Sequence, residues 1–414
     1  MSYQVSEKIQ AKVDALTAVE SVQKALKFME TDHDNIIDKQ CELTLIPAPT
    51  GHEAAKAARM MEMLKEEGLT DCYIDDFGNC VAVRKGTGGG KNVIIEGHMD
   101  TVFPLDTKLE IIKEDGWIKC PGIIDDTRGC AVVISLARAL NEAGIQTKGD
   151  LHLVGTVKEE GTGALMGMKY YCDNHPELDA SISVDGAFIS GVIYEATGIQ
   201  TYEVTFHGIG GHACAMFGKV ANPIHAAGRA IAKISEFQVP SDPMTTFAVT
   251  NLEAGSYAAV HAIVPAATIR FNFRSNSQAE LEKLRERIFA AIDEACKEET
   301  ERWGQDTITY TVKHICDVNA GNQDAHAPIV EAAMSVARYL GADPKLENGG
   351  STNCNRAIEA GLQAVCIGIG EGYDSQCHTL DERFNPEGAY DLAQQTLLLA
   401  LLCAGTDEVE SIIE

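Results

Sequence analysis

The segment NVIIEGHMD, residues 92–100, constrains the fold more than any other part of the chain. It is an unbroken apolar run that ends in His and Asp. A strand that is apolar on both faces must be covered on both faces, as in the interior of a parallel sheet. Similar short runs recur at CVAVRK, DLHLVGTV and QAVCIGIG. Helix-length segments accompany them, AAKAARMMEMLKEEG before the first run and CAVVISLARALNEAG between two others. Strands that alternate with helices of this length predict an α/β fold, a mixed sheet flanked by helices. At the N-terminus, Val5, Ile9, Val13, Leu16 and Val19 predict a helix to about Glu20, and a second helix runs to about Cys41.

The pattern changes near residue 197. Strand QTYEVTFHG is followed by a helix over about 222–237, with Pro223 in its first turn. Two strands follow, near 244–253 and 263–274. A long helix then opens with the capping box Ser277-x-x-Glu280, and the strand TITYTVKH closes the unit. The order β-α-β-β-α-β predicts an inserted ferredoxin-like α+β domain over 197–313. Residues 1–196 and 314–414 then form one discontinuous α/β domain.

Charge narrows the function classes. The 34 basic and 61 acidic residues give a net charge of −27. A chain so acidic, with no basic run, is unsuited to nucleic acid or an anionic membrane. The opening MSYQVSEKIQ starts no signal-peptide core, and no 18-residue apolar stretch exists. The 13 scattered Cys include no CxxC pair, which predicts free thiols and a cytoplasmic location.

Three motifs are decoys. KGTGGGKN has Lys85 where a phosphate loop needs its first Gly, and it precedes a strand. Gly208-x-Gly210-x-x-Ala213 opens no helix, so it is no dinucleotide turn. Cys377 and His378 are adjacent, a poor geometry for a thiol and its base.

Five segments place His and carboxylates where an α/β sheet builds its sites, beyond the carboxyl ends of strands. In EGHMD, His98 can bind a metal while Asp100, two residues on, orients it. In GIIDDTRG, Asp125 and Asp126 precede a helix, so helix capping is the competing reading. In VKEEGTG, Glu159 and Glu160 are either solvated or divided between a general base and a ligand. Asp185 ends the strand ISVDG, and His378 lies in the loop CHTLDE. Each is weak alone. Together they supply two His, two Asp and a Glu, with a Glu to spare. That inventory suits two divalent ions about 3.5–4 Å apart.

These motifs, with GGHA and GGSTN, occur in an order that resembles the dinuclear zinc exopeptidases and deacylases, the family of peptidase T, glutamate carboxypeptidase and aminoacylase. The resemblance spans about Asp38 to Leu402 and is strongest to peptidase T, through SVDGAFISGVIYEATG and GLQAVCIGIGEGYDSQCHTLDE. It implies that His98, Asp125 and Asp185 hold one metal, and Asp125, Glu160 and His378 the other. It makes Glu159 the general base and Asp100 the orienting group for His98. The ions are implied to be zinc, with cobalt or manganese as alternatives. The insert is implied to be a dimerisation and lid domain, so the chain is expected as a homodimer. His212, Arg274 and Asn353 are the implied substrate contacts.

Three departures stand out. Thr127 and Arg128 follow the paired Asp, GGSTN replaces the usual GGTD or GGSD, and Ala213 and Cys214 follow His212 where peptidase T has GHPG. The expected activity is metal-dependent, tripeptidase-like hydrolysis of short peptides by a water bridging the metals. The alternatives are an N-acyl-amino-acid deacylase or carboxypeptidase, and an inactive binding protein.

Overall fold

The computed structural model describes residues 3–303, 308–347, 349–369 and 373–414. It contains two compact units, Met1–Ala196 with Asn322–Glu414, and Thr197–Gly321. The first unit opens with helices α1 (Glu7–Thr17), α2 (Glu20–Thr31) and α3 (His33–Thr44). The expected second helix is therefore two, because Asp32 (φ −91°, ψ 2°) ends one and starts the other. Helix α4 (Ala54–Glu66) leads into β1 (Cys72–Ile74), β2 (Cys80–Arg84) and β3 (Val93–His98). Next come α5 (Thr127–Ala143), β4 (Leu151–Thr156), α6 (Met166–Asn174), β5 (Ala180–Val184) and β6 (Phe188–Ile193).

The second unit consists of β7 (Gly198–His207), α7 (Pro223–Ser235), β8 (Thr245–Ala254), β9 (Ala266–Ser275), α8 (Gln278–Trp303) and β10 (Thr309–Val318). Its strands pair antiparallel in the order β8–β9–β7–β10. Residues 202, 204 and 206 of β7 and Ile269, Phe271 and Phe273 of β9 point into one core against Ala226, Ala230, Leu284 and Ile288 of the two helices. At the start of α8, Ser277 Oγ accepts the Glu280 N–H at 3.4 Å. The unit extends past the expected boundary at 313, because β10 pairs with β7 as far as Val318.

The chain then returns to the first unit with α9 (Pro328–Tyr339), β11 (Lys345–Glu347), α10 (Cys354–Glu359), β12 (Gln363–Gly368) and α11 (Tyr390–Ala404). Its eight strands lie in the order β1–β2–β4–β3–β5–β12–β6–β11. The central β4, β3, β5 and β12 are mutually parallel, and β2 and β6 flank them antiparallel. Every residue of β2, β3, β4 and β5 is buried. One face packs on residues of α1, α2, α5, α9 and α11, the other on α6 and α10. Thirteen of the 15 residues of α11 are buried, which explains its apolar run LLLALL. The fold is thus mixed α/β, with its parallel strands delivering their carboxyl ends to one edge.

Candidate active site

That edge gathers the residues read from the sequence. His98 is the last residue of β3, and its buried ring is held from behind. Its Nδ1 lies 3.0 Å from the Asp100 carbonyl oxygen and 3.5 Å from Asp100 Oδ1. Its Nε2 is thereby directed at Asp125 Oδ1, 3.0 Å away. The other oxygen of Asp125, Oδ2, lies 2.8 Å from His378 Nε2. The same His378 nitrogen is 3.0 Å from Glu160 Oε1. Asp125 therefore presents one carboxylate oxygen to each histidine. His98, Asp125 and Glu160 offer ligand atoms that all lie within 4.8 Å of one another.

The neighbouring Asp126 faces inward. It caps α5, accepting the Gly129 N–H at 2.8 Å, and also accepts the His98 N–H at 3.0 Å. The capping alternative thus describes Asp126, not Asp125. Asp100 is a hub: its carboxylate accepts the Thr50 hydroxyl at 2.9 Å and the N–H groups of Glu159 and Glu160 at 3.0 and 2.9 Å. One buried carboxylate so fixes both the His98 ring and the paired-Glu turn. Lys158 (φ 56°) and His378 (φ 64°) take the left-handed region, costly for such side chains and frequent at functional sites.

Titration follows from crowding. Burial opposes ionisation of Asp125, but His378 and His98 outweigh it and hold the carboxyl well below its ordinary range. Asp125 and Glu160 in turn push the His378 imidazole up to about 10. Burial, with nearby Asp125, raises Asp185 to about 7, and burial raises Glu159 well above the usual carboxylate value. Asp100, Asp125, Asp126, Glu159, Glu160 and Asp185 crowd together here with His98 and His378, and the buried Lys56 lies near Asp100 and Asp126. The raised pKa values of His98 and His378 mean that this edge favours added positive charge, which divalent cations would also supply. Mixed imidazole and carboxylate donors, with one carboxylate facing both histidines, fit a pair of divalent ions. Asp185 and Asp125 line a cleft of about 440 Å³ together with Ile124, Phe188, Ile369 and Cys377.

The implied substrate contacts are dispersed. Asn353 is buried, and its Nδ2 donates to Glu96 Oε2 and Thr156 Oγ1, both at 2.8 Å. It holds β3 to β4 beneath the site. Arg274 is exposed on the sheet face opposite α7 and α8 in the second unit. His212, also in the second unit, pairs with Ala262 in a two-residue ladder. Its Nδ1 accepts the N–H groups of Cys214 and Ala215 at 3.3 Å, which leaves the ring proton on Nε2. Arg128, a departure in the DDTRG segment, is fully buried and donates to Gln40 Oε1 and the Ala389 carbonyl.

Sequence reasoning missed two residues. The buried Glu382 carboxylate accepts the N–H groups of Gly122, Ile124 and Asp125, at 3.1, 2.8 and 3.1 Å, and so fixes the loop that carries Asp125. Burial raises it to about 7. Its signal was its place in CHTLDE, four residues after His378. Thr50, in the loop PAPTGHE, carried none beyond a turn.

A profile of peptidase family M20/M25/M40 matches residues 94–402. A succinyl-diaminopimelate desuccinylase of Corynebacterium glutamicum is 27% identical over 354 residues, 84% of this chain and 91% of its own length. The aminopeptidase PepT of Bacillus cereus superposes with a TM-score of 0.72 at 22% identity, covering 89% of this chain and 97% of that one. A dinuclear metal-binding peptidase of Bacillus subtilis, YXEP, superposes at 0.66 with 16% identity over 91% and 99%. The family profile covers well over half of the chain, and its span includes each proposed ligand from His98 to His378: this protein belongs to peptidase family M20/M25/M40 and is a hydrolase of that family.

Proposed function

We propose that this enzyme is a dinuclear-metal exopeptidase that cleaves short peptides, tripeptides in particular, at a free amino end. The observation that supports it most is Asp125, with one oxygen toward His98 and the other toward His378. In this reading His98, Asp125 and Asp185 would hold one ion, and Asp125, Glu160 and His378 would hold the other. When bound, the ions supply an acidified water and polarise the scissile carbonyl. Glu159 takes the proton of the attacking water and passes it to the leaving amine nitrogen as the C–N bond breaks. Burial raises its pKa well above the usual carboxylate value, which favours holding the proton taken from the water. Asp100 keeps that carboxylate and His98 in register through the hydrogen bonds described above. His212, with its proton on Nε2, is a donor for the developing oxyanion, and Arg274 a donor for the substrate's far end. Asn353 supports the site from below. The chain acts as a homodimer with zinc, or with cobalt or manganese in its place.

The PepT likeness supports the peptide substrate. A second reading, an N-acyl-amino-acid deacylase, is favoured by the 27% identity to a desuccinylase over most of both chains. One panel separates them: matched peptides with free amino ends, with N-acetyl or N-succinyl caps, and with C-terminal amides. Cleavage of free tripeptides and rejection of the capped ones is expected. The reverse pattern would overturn the tripeptidase reading in favour of the deacylase.

A further inference from the structure

A second group of metal-type ligands lies at the other end of the same sheet. His152 is the second residue of β4, four positions before Thr156, so about 13 Å of strand separates it from the catalytic edge. His175 follows α6 directly, and Glu177 lies two residues on. A ring nitrogen of each histidine and a carboxylate oxygen of Glu177 all lie within 4.8 Å of one another. We propose that His152, His175 and Glu177 form a third metal site, which takes one divalent cation of the zinc type and is independent of the catalytic pair.

The geometry is built for it. His152 is buried, and its Nδ1 lies 2.7 Å from Tyr171 Oη. A ring whose Nδ1–H donates to that oxygen has its Nε2 lone pair free for a cation, the usual arrangement behind a metal-bound histidine. The Tyr171 ring also stacks on His175, with centroids 4.1 Å apart and planes at 26°. One tyrosine therefore sets both histidines. His175 Nδ1 and Glu177 Oε1 already touch at 2.8 Å. A tetrahedral zinc with bonds of about 2.0–2.1 Å holds its ligand atoms about 3.4 Å apart. Around an ion the His175–Glu177 pair opens slightly from 2.8 Å, while the group's spread of up to 4.8 Å contracts toward about 3.4 Å. Burial, then nearby His175, pushes His152 down to about 4, so it is neutral and able to bind at neutral pH. His175 outweighs burial at Glu177 and keeps its carboxylate ionised. The Lys85–Asp150 pair close by is self-compensated at 2.9 Å.

Two imidazoles and one carboxylate suit zinc better than magnesium or calcium, which prefer oxygen throughout. Three protein ligands would leave a fourth tetrahedral position for a water. The consequence is mechanical. Glu159 and Glu160 lie on the segment between β4 and α6, and the ion would tie the start of β4 to the end of α6.

The test is zinc content and thermal stability of the full-length protein. Wild type, His175→Ala and Glu177→Ala are dialysed against the same buffered free zinc, and bound zinc per chain is measured. Glu177 is exposed and His175 half-buried, both away from the catalytic edge, and hydrolytic activity with the catalytic ions in place is expected to be unchanged. Wild type should hold one zinc per chain more than either variant. Added zinc should raise its Tm by more than it raises theirs. Equal zinc content in all three proteins would overturn the site.

Discussion

At the residue scale, adjacent side chains of one chemical type do different work because their surroundings differ. Asp125 faces two histidines, while Asp126 caps α5 and receives the His98 N–H. The paired glutamates divide in the same way. Glu160 reaches His378, whereas Glu159 is buried beside Asp185, Glu160 and Asp100 with its pKa raised. Glu159→Gln keeps shape and hydrogen bonding but removes the base. Turnover should fall by roughly 100-fold or more with bound metal unchanged. Glu160→Gln should instead lower the metal content. Metal analysis beside kcat for both variants checks the division, and equal metal loss in the two would reverse the assignment.

At the element scale, the site depends on how closely α5 approaches the sheet. A Cβ on Gly129 would lie 2.2 Å from the Val184 carbonyl oxygen and 2.3 Å from Asp126 Oδ2. A Cβ on Gly97 would lie 2.6 Å from the Gly129 carbonyl carbon. These glycines let the α5 N-terminus sit against the ends of β3 and β5, which fixes the Asp125–Asp126 pair. Gly129→Ala must push backbone apart, so it should cost about 1–3 kcal/mol of stability and weaken metal binding. Gly228 in α7 has nothing within 4 Å of such a Cβ, so Gly228→Ala should be neutral or stabilise by about 0.5–1 kcal/mol. Urea unfolding midpoints and metal titration of the two variants provide the check. Much of this architecture was legible in advance. Alternating apolar runs announced β3, β4, β5 and β12, and the β-α-β-β-α-β order announced the insert. The split at Asp32 was not legible, because apolar spacing continues across it.

At the scale of the whole molecule, the insert has its own core and sheet, and its first and last strands, β7 and β10, are neighbours. The two chain crossings therefore lie side by side, as an inserted unit requires. The proposed dimer makes a prediction here. His212→Ala and Glu159→Gln are each expected to be nearly inactive, since loss of one oxyanion donor costs roughly 100–1,000-fold. If His212 serves the partner's site, a mixed dimer has one intact site and one doubly defective one. With subunit exchange at equal amounts, about a quarter of wild-type activity should return. Mixed dimers that stay inactive would place His212 within its own chain's site or outside catalysis.

The sequence by itself determined the alternation of strands and helices, the insert, the family, and the His and carboxylate side chains that meet at one sheet edge. Those features are local: burial periodicity and short motifs are written within about ten residues. Tertiary structure decided what each of those residues touches. His378 meets Glu160 across 218 positions, Glu382 meets Ile124 across 258, and Asn353 meets Glu96 across 257. Asn353, expected as a substrate contact beside its motif, donates to Glu96 in the interior, and Arg128, a departure from the family pattern, is buried against Gln40. The His152–His175–Glu177 group has no motif at all, because a strand start and a helix end are joined only when β4 and α6 pack. Local pattern fixes which residues can be buried, while strand order and helix approach fix which buried groups become partners.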